Sequence, residues 1–520
     1  MGSCDFILTY DLGTTGNKCT VFDREGHALY SAVVPYGCFY PKPGWAEQDP
    51  NDFWESIVAG TRLLREQWDL EPGDIAAIGL SGTMNGCIPV GPSGEVLYRN
   101  IIHSDCRGAA MCDYISSHIP PDEFYRITGN RLDSHYTLPK VLWLKENHPD
   151  IYEKARYFIN TKDYAAYRLT GRLGITDYSD ASLTCMLDMQ KKAWAAGMLV
   201  ELGLDEGKLP DVKRSIEIAG PLCREAAEAL GLIEGIPVSV GGGDGACATH
   251  GAGLAAPGRA YNYLGSSSWI CTLSAAPVID EKARIFNFYD LDGFHCNVCG
   301  TVQSAAASYN WALDMLAQAP DFMSHDTEST EKKEKTDIKA VYDWVEREAG
   351  KSPPGANGII FLPYLMGERT PYWDENARGA FVGFSLFHKR SDMLRAVYEG
   401  VAFALKDVLD VFLGNSLTVE DLILIGGGAK SGLWRKILCD VYGRPVKVHK
   451  YPGEATSLGA AMAAGTAVGL YMDLAHACDT AYDCMLTPDD VTSMAYVKPY
   501  DIFKSLYYHL KPAYDALAAK

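Results

Sequence analysis

The chain has 520 residues, of which 47% are hydrophobic and 22% charged, so it is long enough for two or more domains with large buried cores. Its formal net charge of -19 argues against a nucleic-acid partner, because phosphate backbones are bound by clustered Lys and Arg. No secretory signal is recognisable at the N-terminus, and 15 Cys at irregular spacing indicate reduced thiols. We therefore expect a cytoplasmic protein with neither a nucleic-acid nor a membrane partner.

The first elements in chain order read as strands followed by a helix. Residues 6–10 form a predicted buried strand that ends at Asp11, and residues 19–22 and 28–34 continue it as a β-meander. A helix over residues 49–68 begins at an Asp-Pro start signal, and residues 75–80 form another short strand. Strands and helices then alternate, which indicates an α/β fold.

Gly-rich turns also close two predicted strands in the second half, at residues 259–264 and 421–425. Two related α/β domains explain this repetition, and the small residues at 251–257 place the boundary, which gives domains of residues 1–253 and 254–520. The uncharged stretch 455–472 has the length of a membrane span, but its Ala and Gly content predicts a tightly packed helix. The charged stretch 321–339 predicts a solvated loop or an exposed helix start.

Three Gly-rich turns have the composition of phosphate sites. In the first, glycines allow close approach of a ligand, Asp11 could hold Mg²⁺ through water, and the donors are Thr14, Thr15, Asn17 and Lys18. The second is Gly265-Ser266, and the third runs from Gly426 to Ser431 before a helix, without the spacing of a Walker loop. Each turn alone is also compatible with a structural role such as helix capping. Their combination in this order carries the argument.

The run Gly241-Gly242-Gly243-Asp244-Gly245-Ala246 presents one carboxylate in an otherwise open backbone. Asp244 could simply cap a helix over residues 246–253. Alternatively, it could accept a proton from a hydroxyl that attacks a phosphoryl group, a reaction that depends mainly on positioning and charge neutralisation. Cys296 and Cys299 form a single CxxC without a second pair, so packing in or beside a strand is a better interpretation than metal binding.

With these runs in view, the sequence resembles the FGGY family of carbohydrate kinases, and among them the xylulokinases. The resemblance covers almost the whole chain. Its signature-like segments are residues 137–147 (TLPKVLWLKEN), 379–399, 427–435 (GGAKSGLWR) and 454–460 (EATSLGA). It implies two actin-like, ribonuclease-H-like domains facing a central cleft, with ATP and Mg²⁺ as cofactors and a small sugar as substrate. A homodimer is a further expectation from the family.

The resemblance also assigns roles to residues. It implies that Asp244 is the catalytic base and that Asp11 lies near Mg²⁺. The implied sugar-binding set is Met84, Asn85, Asp105, Arg107 and Asp244. The implied ATP- and phosphate-binding set is Thr14, Thr15, Asn17, Lys18, Gly265, Ser266, Gly427, Gly428, Ala429 and Ser431, with Gly427, Gly428 and Ala429 beside the adenosine.

Two departures from the family pattern fall in the implied sugar site. The chain has Thr83-Met84-Asn85-Gly86 where xylulokinases typically carry Gln-Met-His-Gly, and His103 where they carry Trp. The expected reaction is phosphorylation of D-xylulose to D-xylulose 5-phosphate. Ribulose, a glycerol- or erythritol-like polyol and gluconate remain open as substrates. An actin-like ATPase switch or a catalytically inactive sugar-binding regulator are the alternatives of another class.

Overall fold

The computed structural model describes residues 6–68, 71–316, 338–477 and 482–519. Its strands are β1 (Phe6–Leu12), β2 (Gly16–Phe22), β3 (Ala28–Pro35), β4 (Glu47–Gln48), β5 (Ile75–Gly82), β6 (Ile88–Val90), β7 (Asn100–Ile101), β8 (Tyr157–Ile159), β9 (Ile175–Asp177), β10 (Leu187–Asp188), β11 (Ala193–Trp194), β12 (Asp211–Lys213), β13 (Ile218–Pro221), β14 (Pro237–Ser239), β15 (Gly242–Gly243), β16 (Gly258–Leu264), β17 (Ser268–Ser274), β18 (Phe286–Tyr289), β19 (Cys296–Val302), β20 (Ile360–Leu362), β21 (Ala380–Val382), β22 (Val419–Ile425), β23 (Val446–His449) and β24 (Tyr482–Leu486). Its α-helices are α1 (Pro50–Arg65), α2 (Ala109–His118), α3 (Pro121–Thr128), α4 (Thr137–Asn147), α5 (Pro149–Lys154), α6 (Thr161–Thr170), α7 (Tyr178–Leu183), α8 (Ala196–Glu201), α9 (Arg224–Leu230), α10 (Asp244–Gly251), α11 (Ala306–Leu316), α12 (Ile338–Ala349), α13 (Arg390–Gly414), α14 (Gly432–Tyr442), α15 (Ala455–Ala467) and α16 (Asp490–Ala518). Most of the predicted charged stretch, residues 321–337, lies outside the described ranges.

The described chain divides into two compact units. The first takes its residues from Met1–Pro257, Thr272–Val298 and Gly453–Thr480, and the second from Gly258–Cys271, Cys299–Pro452 and Ala481–Lys520. Each unit therefore draws on more than one stretch of the chain. The predicted pair of domains, residues 1–253 and 254–520, stays a prediction.

The sheet of the first unit has the strand order β13-β14-β5-β1-β2-β3, with β15 beside β5. Strands β1, β2 and β3 pair antiparallel, which confirms the predicted meander, and β5 lies parallel to β1. The central strand β1 is almost continuously buried, whereas the edge strand β3 alternates between half-buried and exposed residues. This is the expected contrast between a strand covered on both faces and one covered on a single face.

Helix α1 confirms the start signal read from the sequence. The Asp49 side chain accepts a hydrogen bond from the Asn51 N–H, and Pro50 occupies the first helical position. The helix ends at Arg65, three residues before the predicted end.

The second unit contains the strands β19-β17-β16-β22-β23-β24 in that order. Three residues join β16 to β17, so these neighbours are antiparallel, while β22 lies parallel to β16. Both units thus place a short-linked strand pair beside a parallel strand. The predicted α/β class with two sheet-containing domains is confirmed.

Helix α15 lies against α10 in the first unit at very short range. A β-carbon on Gly251 would lie 1.7 Å from the Ala455 carbonyl oxygen, and one on Gly459 would lie 1.9 Å from that of Cys247. The small residues of this stretch therefore serve close helix packing, as predicted. None of the helices in the described ranges is both long enough and apolar enough to span a bilayer.

Candidate active site

The carboxyl ends of three parallel strands meet at one edge of the first unit's sheet. Asp11 of β1 pairs with Ser81 of β5, and Ser81 pairs with Gly242 of β15. On the other side of β1, Lys18 of β2 pairs with Asp11. Neighbouring strands lie about 4.8 Å apart, and residues paired in this way project from the same face. Asp11, Ser81 and Gly242 therefore lie side by side on three neighbouring strands, and Asp244 follows two residues after Gly242.

The turn after β1 has its carbonyl groups engaged and its hydroxyl groups open. The Tyr36 hydroxyl donates to the Gly13 carbonyl, and Gln48 Nε2 donates to the Thr14 carbonyl at 2.7 Å. The side chains of Thr14 and Thr15 are exposed, and neither hydroxyl bonds to another described residue. The backbone of the turn is therefore fixed by hydrogen bonds to its carbonyl groups, while the hydroxyls of Thr14 and Thr15, two of the predicted phosphate donors, are exposed.

Lys18 and Asn17 point to opposite faces of β2 and meet different surroundings. Lys18 Nζ donates to the Gly453 carbonyl at 2.5 Å and lies 3.3 Å from Glu454 Oε1. Asn17 is fully buried, and its amide donates to Cys19 Sγ at 3.3 Å. The structure therefore groups Lys18 with Asp11 but leaves the Asn17 amide out of the open turn.

Asp244 is the first residue of α10, and its carboxylate has one hydrogen bond within the described chain. Asp244 Oδ1 accepts from the Gly245 N–H at 2.8 Å, and the N-cap position belongs to Gly243. A β-carbon on Gly243 would lie 2.5 Å from Met84 Cγ, so this glycine lets Met84 pack against the backbone next to Asp244. The helix begins two residues earlier than predicted, and Asp244 does not occupy its cap position.

Asp11 and Asp244 are both only half-buried, yet both are harder to ionise than free carboxylates. Burial raises the pKa of Asp11 to about 6, although the Lys18 charge opposes the shift. Burial and the nearby Asp11 charge raise the pKa of Asp244 to about 7. Each value reflects a carboxylate partly removed from water without enough positive charge to compensate.

Asn85 follows β5 and adopts a left-handed backbone conformation with φ of 63°, which Asn tolerates better than most residues. The Lys140 ammonium holds this conformation by donating to the Asn85 carbonyl at 2.6 Å and to the His135 carbonyl at 2.7 Å. Asn85 Oδ1 is buried and bonds to no described residue. Among the predicted sugar ligands, Asn85 therefore has an unused acceptor and Met84 lies beside Asp244.

Lys140 lies in the signature-like segment 137–147, and no role was predicted for it. Burial lowers its pKa to about 7, because a charged ammonium is costly to remove from water. Its position among the apolar residues 138–144 of helix α4 is a signal that could have marked it as a buried, specifically bonded lysine.

Asp105 and Arg107 form a buried ion pair whose hydrogen-bonding groups are engaged internally. Arg107 Nη2 lies 2.7 Å from Asp105 Oδ2, and Arg107 Nη1 lies 2.8 Å from Glu47 Oε1. The guanidinium also stacks on Trp45, with 3.9 Å between its carbon and the ring centroid, and its side chain has no exposed surface. Both charged groups are thus bonded within the described chain, and their direct contact with substrate stays a prediction.

In the second unit, the turn between β16 and β17 has the same pattern as the turn after β1. The carbonyls of Gly265 and Ser266 accept hydrogen bonds from the Ala306 and Ala305 N–H groups, both at 2.9 Å. A β-carbon on Gly265 would lie 2.4 Å from the Tyr263 ring. The Ser266 side chain is exposed, so its hydroxyl faces outward from a turn that is fixed from behind.

The third Gly-rich turn adjoins the second, because β16 and β22 are parallel neighbours and end at the same edge. Gly426 has φ of 87°, and a β-carbon there would lie 2.8 Å from the Leu264 carbonyl oxygen. A β-carbon on Gly428 would lie 2.6 Å from Leu264 Cγ, whereas Gly427 is exposed with open space above it. Gly427 therefore leaves open space beside the turn, and its contact with an adenosine stays a prediction.

Ala429 and Ser431, which complete this turn, are less accessible. Ala429 is fully buried. Ser431 caps α14 by accepting from the Trp434 N–H at 3.2 Å, and its hydroxyl donates to Glu346 Oε2 at 3.1 Å. These contacts give both residues a structural role in shaping the turn, and their contact with a nucleotide stays a prediction.

His250 is a buried residue of α10 that the sequence left without a role. Its Nε2 lies 2.6 Å from Asp290 Oδ2, and Asn297 Nδ2 donates to Asp290 Oδ1 at 3.1 Å. Burial opposes its protonation, but the Asp290 carboxylate outweighs burial and raises the pKa of His250. Thr249 continues the chain by donating to Asn297 Oδ1 at 2.6 Å. The partners lie 40 residues away in sequence, so no local pattern could reveal them.

Cys296 and Cys299 are buried in β19, which confirms that they pack in a strand. Within the described ranges, no group of three or more His, Cys, Asp or Glu side chains could hold a metal ion.

Comparison with known proteins agrees with this geometry. Residues 6–251 match the N-terminal domain of the FGGY family of carbohydrate kinases, and residues 260–468 match its C-terminal domain. A xylulose kinase of Escherichia coli (strain K12) is 30% identical over 96% of this chain and 98% of its own length. The chain belongs to the FGGY family of carbohydrate kinases, and its two sheets are those of the actin-like, ribonuclease-H-like fold.

Two solved structures from Lactobacillus acidophilus are similar over the same length. A ligand-bound xylulose kinase has a TM-score of 0.89 at 28% identity, covering 98% of this chain and 99% of that one. A gluconate kinase has a TM-score of 0.88 at 28% identity with the same coverage. The chain is thus an ATP-dependent sugar kinase by family, and the fold alone does not separate one sugar from another.

Proposed function

We propose that this protein transfers the γ-phosphate of ATP to a hydroxyl of D-xylulose, giving D-xylulose 5-phosphate. The observation that carries the proposal is the corner of the first unit where Asp244 stands at the end of an open glycine run, beside Asp11 and the exposed donors of the β1 turn. A sugar kinase needs a proton acceptor next to groups that bind phosphate, and this corner supplies both.

In the proposed reaction, the attacking sugar oxygen forms a bond to the γ-phosphorus as the bond from that phosphorus to the β,γ-bridging oxygen breaks. ADP carries away the bridging oxygen, and Asp244 takes the proton of the sugar hydroxyl. A pKa of about 7 suits this exchange, since the carboxylate is then both available and basic enough near neutral pH. Thr14, Thr15, Lys18 and Ser266 would donate to the phosphates, and Gly427 and Gly428 would face the adenosine.

Mg²⁺ fits the same corner. Asp11 is a half-buried carboxylate with a raised pKa, and its negative charge also raises the pKa of Asp244. A cation at this corner would offset both negative charges. Mg²⁺ usually binds through one or two carboxylates together with water and phosphate oxygens, so a cage of three protein ligands is not required. Asp11 would hold the ion through water, and the ion would neutralise charge on the phosphates.

Support for D-xylulose comes from the xylulose kinases among the relatives and from the position of Asn85. Its buried, unused Oδ1 can accept a hydrogen bond from a sugar hydroxyl, while Met84 packs beside Asp244. Asp105 and Arg107 would then shape the pocket wall through Trp45. We propose a sugar acid as the second candidate, because the gluconate kinase structure is equally similar and Asn85 and His103 depart from the xylulokinase pattern.

The test is ADP release by purified protein with Mg²⁺ and a panel of D-xylulose, ribulose, glycerol, erythritol and gluconate, with Asp244→Ala as the inactive control. The proposal expects kcat/KM for D-xylulose to exceed that for every other compound by at least about tenfold. A higher value for gluconate would establish the second candidate. Absence of sugar-stimulated ADP release from the whole panel would contradict both.

A further inference from the structure

A buried hydroxyl holds the backbone amide next to Asp244. The Gly243 N–H donates to Ser179 Oγ at 2.9 Å, and the Ser179 hydroxyl donates to Asp177 Oδ2 at 2.5 Å. The same oxygen of Asp177 accepts from the Ser215 hydroxyl at 2.7 Å. Ser179, Asp177 and Ser215 have no exposed surface, so this chain of hydrogen bonds is closed to water.

The hydrogen-bond chain ends in a buried ion cluster of one lysine and three aspartates. Lys162 Nζ lies 2.6 Å from Asp163 Oδ1, 3.0 Å from Asp177 Oδ1 and 3.3 Å from Asp180 Oδ2. All four side chains are 0–2% exposed. Gly82, which pairs with Gly243, leaves room for the cluster, because a β-carbon there would lie 3.1 Å from Lys162 Cβ. The cluster thus lies directly behind the strand ends that carry the candidate active site.

Burying four ionisable groups is expensive, and such clusters add little net stability compared with apolar packing. Fold specificity is one reason to keep them. A second reason is that the cluster orients a residue next to the candidate active site. Asp177 accepts the hydrogen bond of the Ser179 hydroxyl, and that hydroxyl oxygen accepts the Gly243 N–H. Gly243, whose amide donates to Ser179, is the residue immediately before Asp244.

We propose that Ser179 is a positioning residue for Asp244, held in its orientation by the ion cluster of Lys162, Asp163, Asp177 and Asp180. The inference rests on the proposed function, in which Asp244 accepts the proton of the sugar hydroxyl. A displacement of about 1 Å in a catalytic group can cost about 100-fold in rate, so a single missing hydroxyl is sufficient to be measured. Ser179 touches neither the sugar nor ATP in this proposal.

The remaining contacts of the glycine run would persist without Ser179. The Gly241 N–H donates to the Ser215 carbonyl at 3.1 Å, and the Val240 N–H donates to the Glu217 carbonyl at 2.8 Å. The pairing of β15 with β5 also remains, so loss of the Ser179 hydroxyl should release only the Gly243 amide and the adjoining Asp244. This restricts the expected effect to kcat, because the phosphate turns and Asn85 stay in place.

The test compares Ser179→Ala with Ser239→Ala, a matched control. Ser239 is a fully buried serine of β14 in the same unit, and its hydroxyl bonds to no described residue. We expect Ser179→Ala to lower kcat by about 10- to 100-fold, with KM for ATP and for the sugar within about threefold of the parent. Ser239→Ala should leave all three constants unchanged.

Hydrogen exchange of the Gly243 amide is the second measurement, and it needs no turnover. We expect exchange to accelerate at least tenfold in Ser179→Ala but not in Ser239→Ala, without a comparable change in β1. A kcat within twofold of the control, unchanged exchange at Gly243, or acceleration throughout the first unit would each overturn the proposal.

Asp244→Asn is measured in parallel to separate the two proposals. If Asp244→Asn stays active, the base assignment fails. If Asp244→Asn is inactive and Ser179→Ala has normal kcat, only the positioning role is refuted.

Discussion

Two groups of charged residues in the first unit illustrate different uses of charge. The open corner, defined as Asp11, Lys18 and Asp244, has half-buried carboxylates with raised pKa values and few internal partners. The buried pair, Asp105 and Arg107, is withdrawn from solvent, and its groups bond to each other and to neighbouring side chains. The family resemblance assigned ligand contacts to both groups. Of the two, only the open corner has carboxylates with few hydrogen bonds inside the described chain.

Residue type and motif position therefore do not decide which charged group contacts a ligand. A carboxylate with a raised pKa is under-compensated in the absence of ligand, so a metal ion or a proton stabilises it. A bidentate ion pair stacked on tryptophan is already compensated, and its removal should affect folding before it affects binding.

Asp244→Asn should lower kcat by about 1,000-fold, because the amide keeps the shape of the side chain but cannot accept the proton of the sugar hydroxyl. Affinity for a non-hydrolysable ATP analogue, measured by titration calorimetry, should stay within about threefold. Activity within tenfold of the parent would show that the open corner is not the catalytic one.

Arg107→Ala should reduce the free energy of unfolding by about 3 kcal/mol, since the change leaves the Asp105 and Glu47 carboxylates buried without their partner. Urea denaturation at pH 7 measures this loss, with Lys18→Ala as the partly exposed control that should lose less than about 1 kcal/mol. A stable Arg107→Ala protein with a raised KM for sugar would instead make Arg107 a substrate ligand.

The pH dependence of stability should separate the two groups again. The folded-state pKa of Asp244, about 7, lies above its unfolded value, so folding is favoured by its proton at low pH and that contribution is lost as pH rises through 7. Asp244→Asn lacks this loss. Without Mg²⁺, the stability of the variant relative to the parent should increase by about 1–2 kcal/mol between pH 5.5 and 8, measured by urea denaturation at each pH. A pH-independent difference would contradict the raised pKa.

Much of the fold was predictable, because its signals are local. The Asp49-Pro50 start of α1, the meander of β1 to β3 and the small residues of α15 follow from capping, alternation and close packing. The two units could not be delimited in the same way. Residues 272–298 and 453–480 join the first unit through contacts between distant segments, such as Asp290 with His250 and Gly453 with Lys18, and no local pattern encodes them.

A motif in the sequence can indicate a side chain that lies in an exposed turn. It cannot show whether tertiary contacts already occupy the hydrogen-bonding groups of that side chain. The Thr14 and Thr15 side chains are exposed and Asp244 has one hydrogen bond within the described chain, while their roles in binding and catalysis stay predictions. Asn17 has the right chemistry for a phosphate ligand, but strand alternation turns its amide into the core. The roles of Lys140 and Ser179 depend on partners in distant segments, so their bonding could emerge only from the fold.

Asn85→His should have the smallest effect, which is a change in the preference for one sugar over another. Asn85 lies next to Met84, near the open corner. The left-handed backbone at residue 85 tolerates His, and the Lys140 contact involves the Asn85 carbonyl, so the variant should fold normally. Imidazole offers a donor or an acceptor at another distance from the backbone, and we expect the ratio of kcat/KM between D-xylulose and gluconate to change about tenfold.

Affinity for the ATP analogue should change less than about twofold in the same variant, because the β1 turn and Lys18 are untouched. An equal loss of kcat/KM for every sugar would mean that Asn85 shapes the pocket without contacting substrate. The open corner would then contain the chemistry alone, and discrimination between sugars would have to come from side chains such as His103, which His103→Trp would test against the same panel.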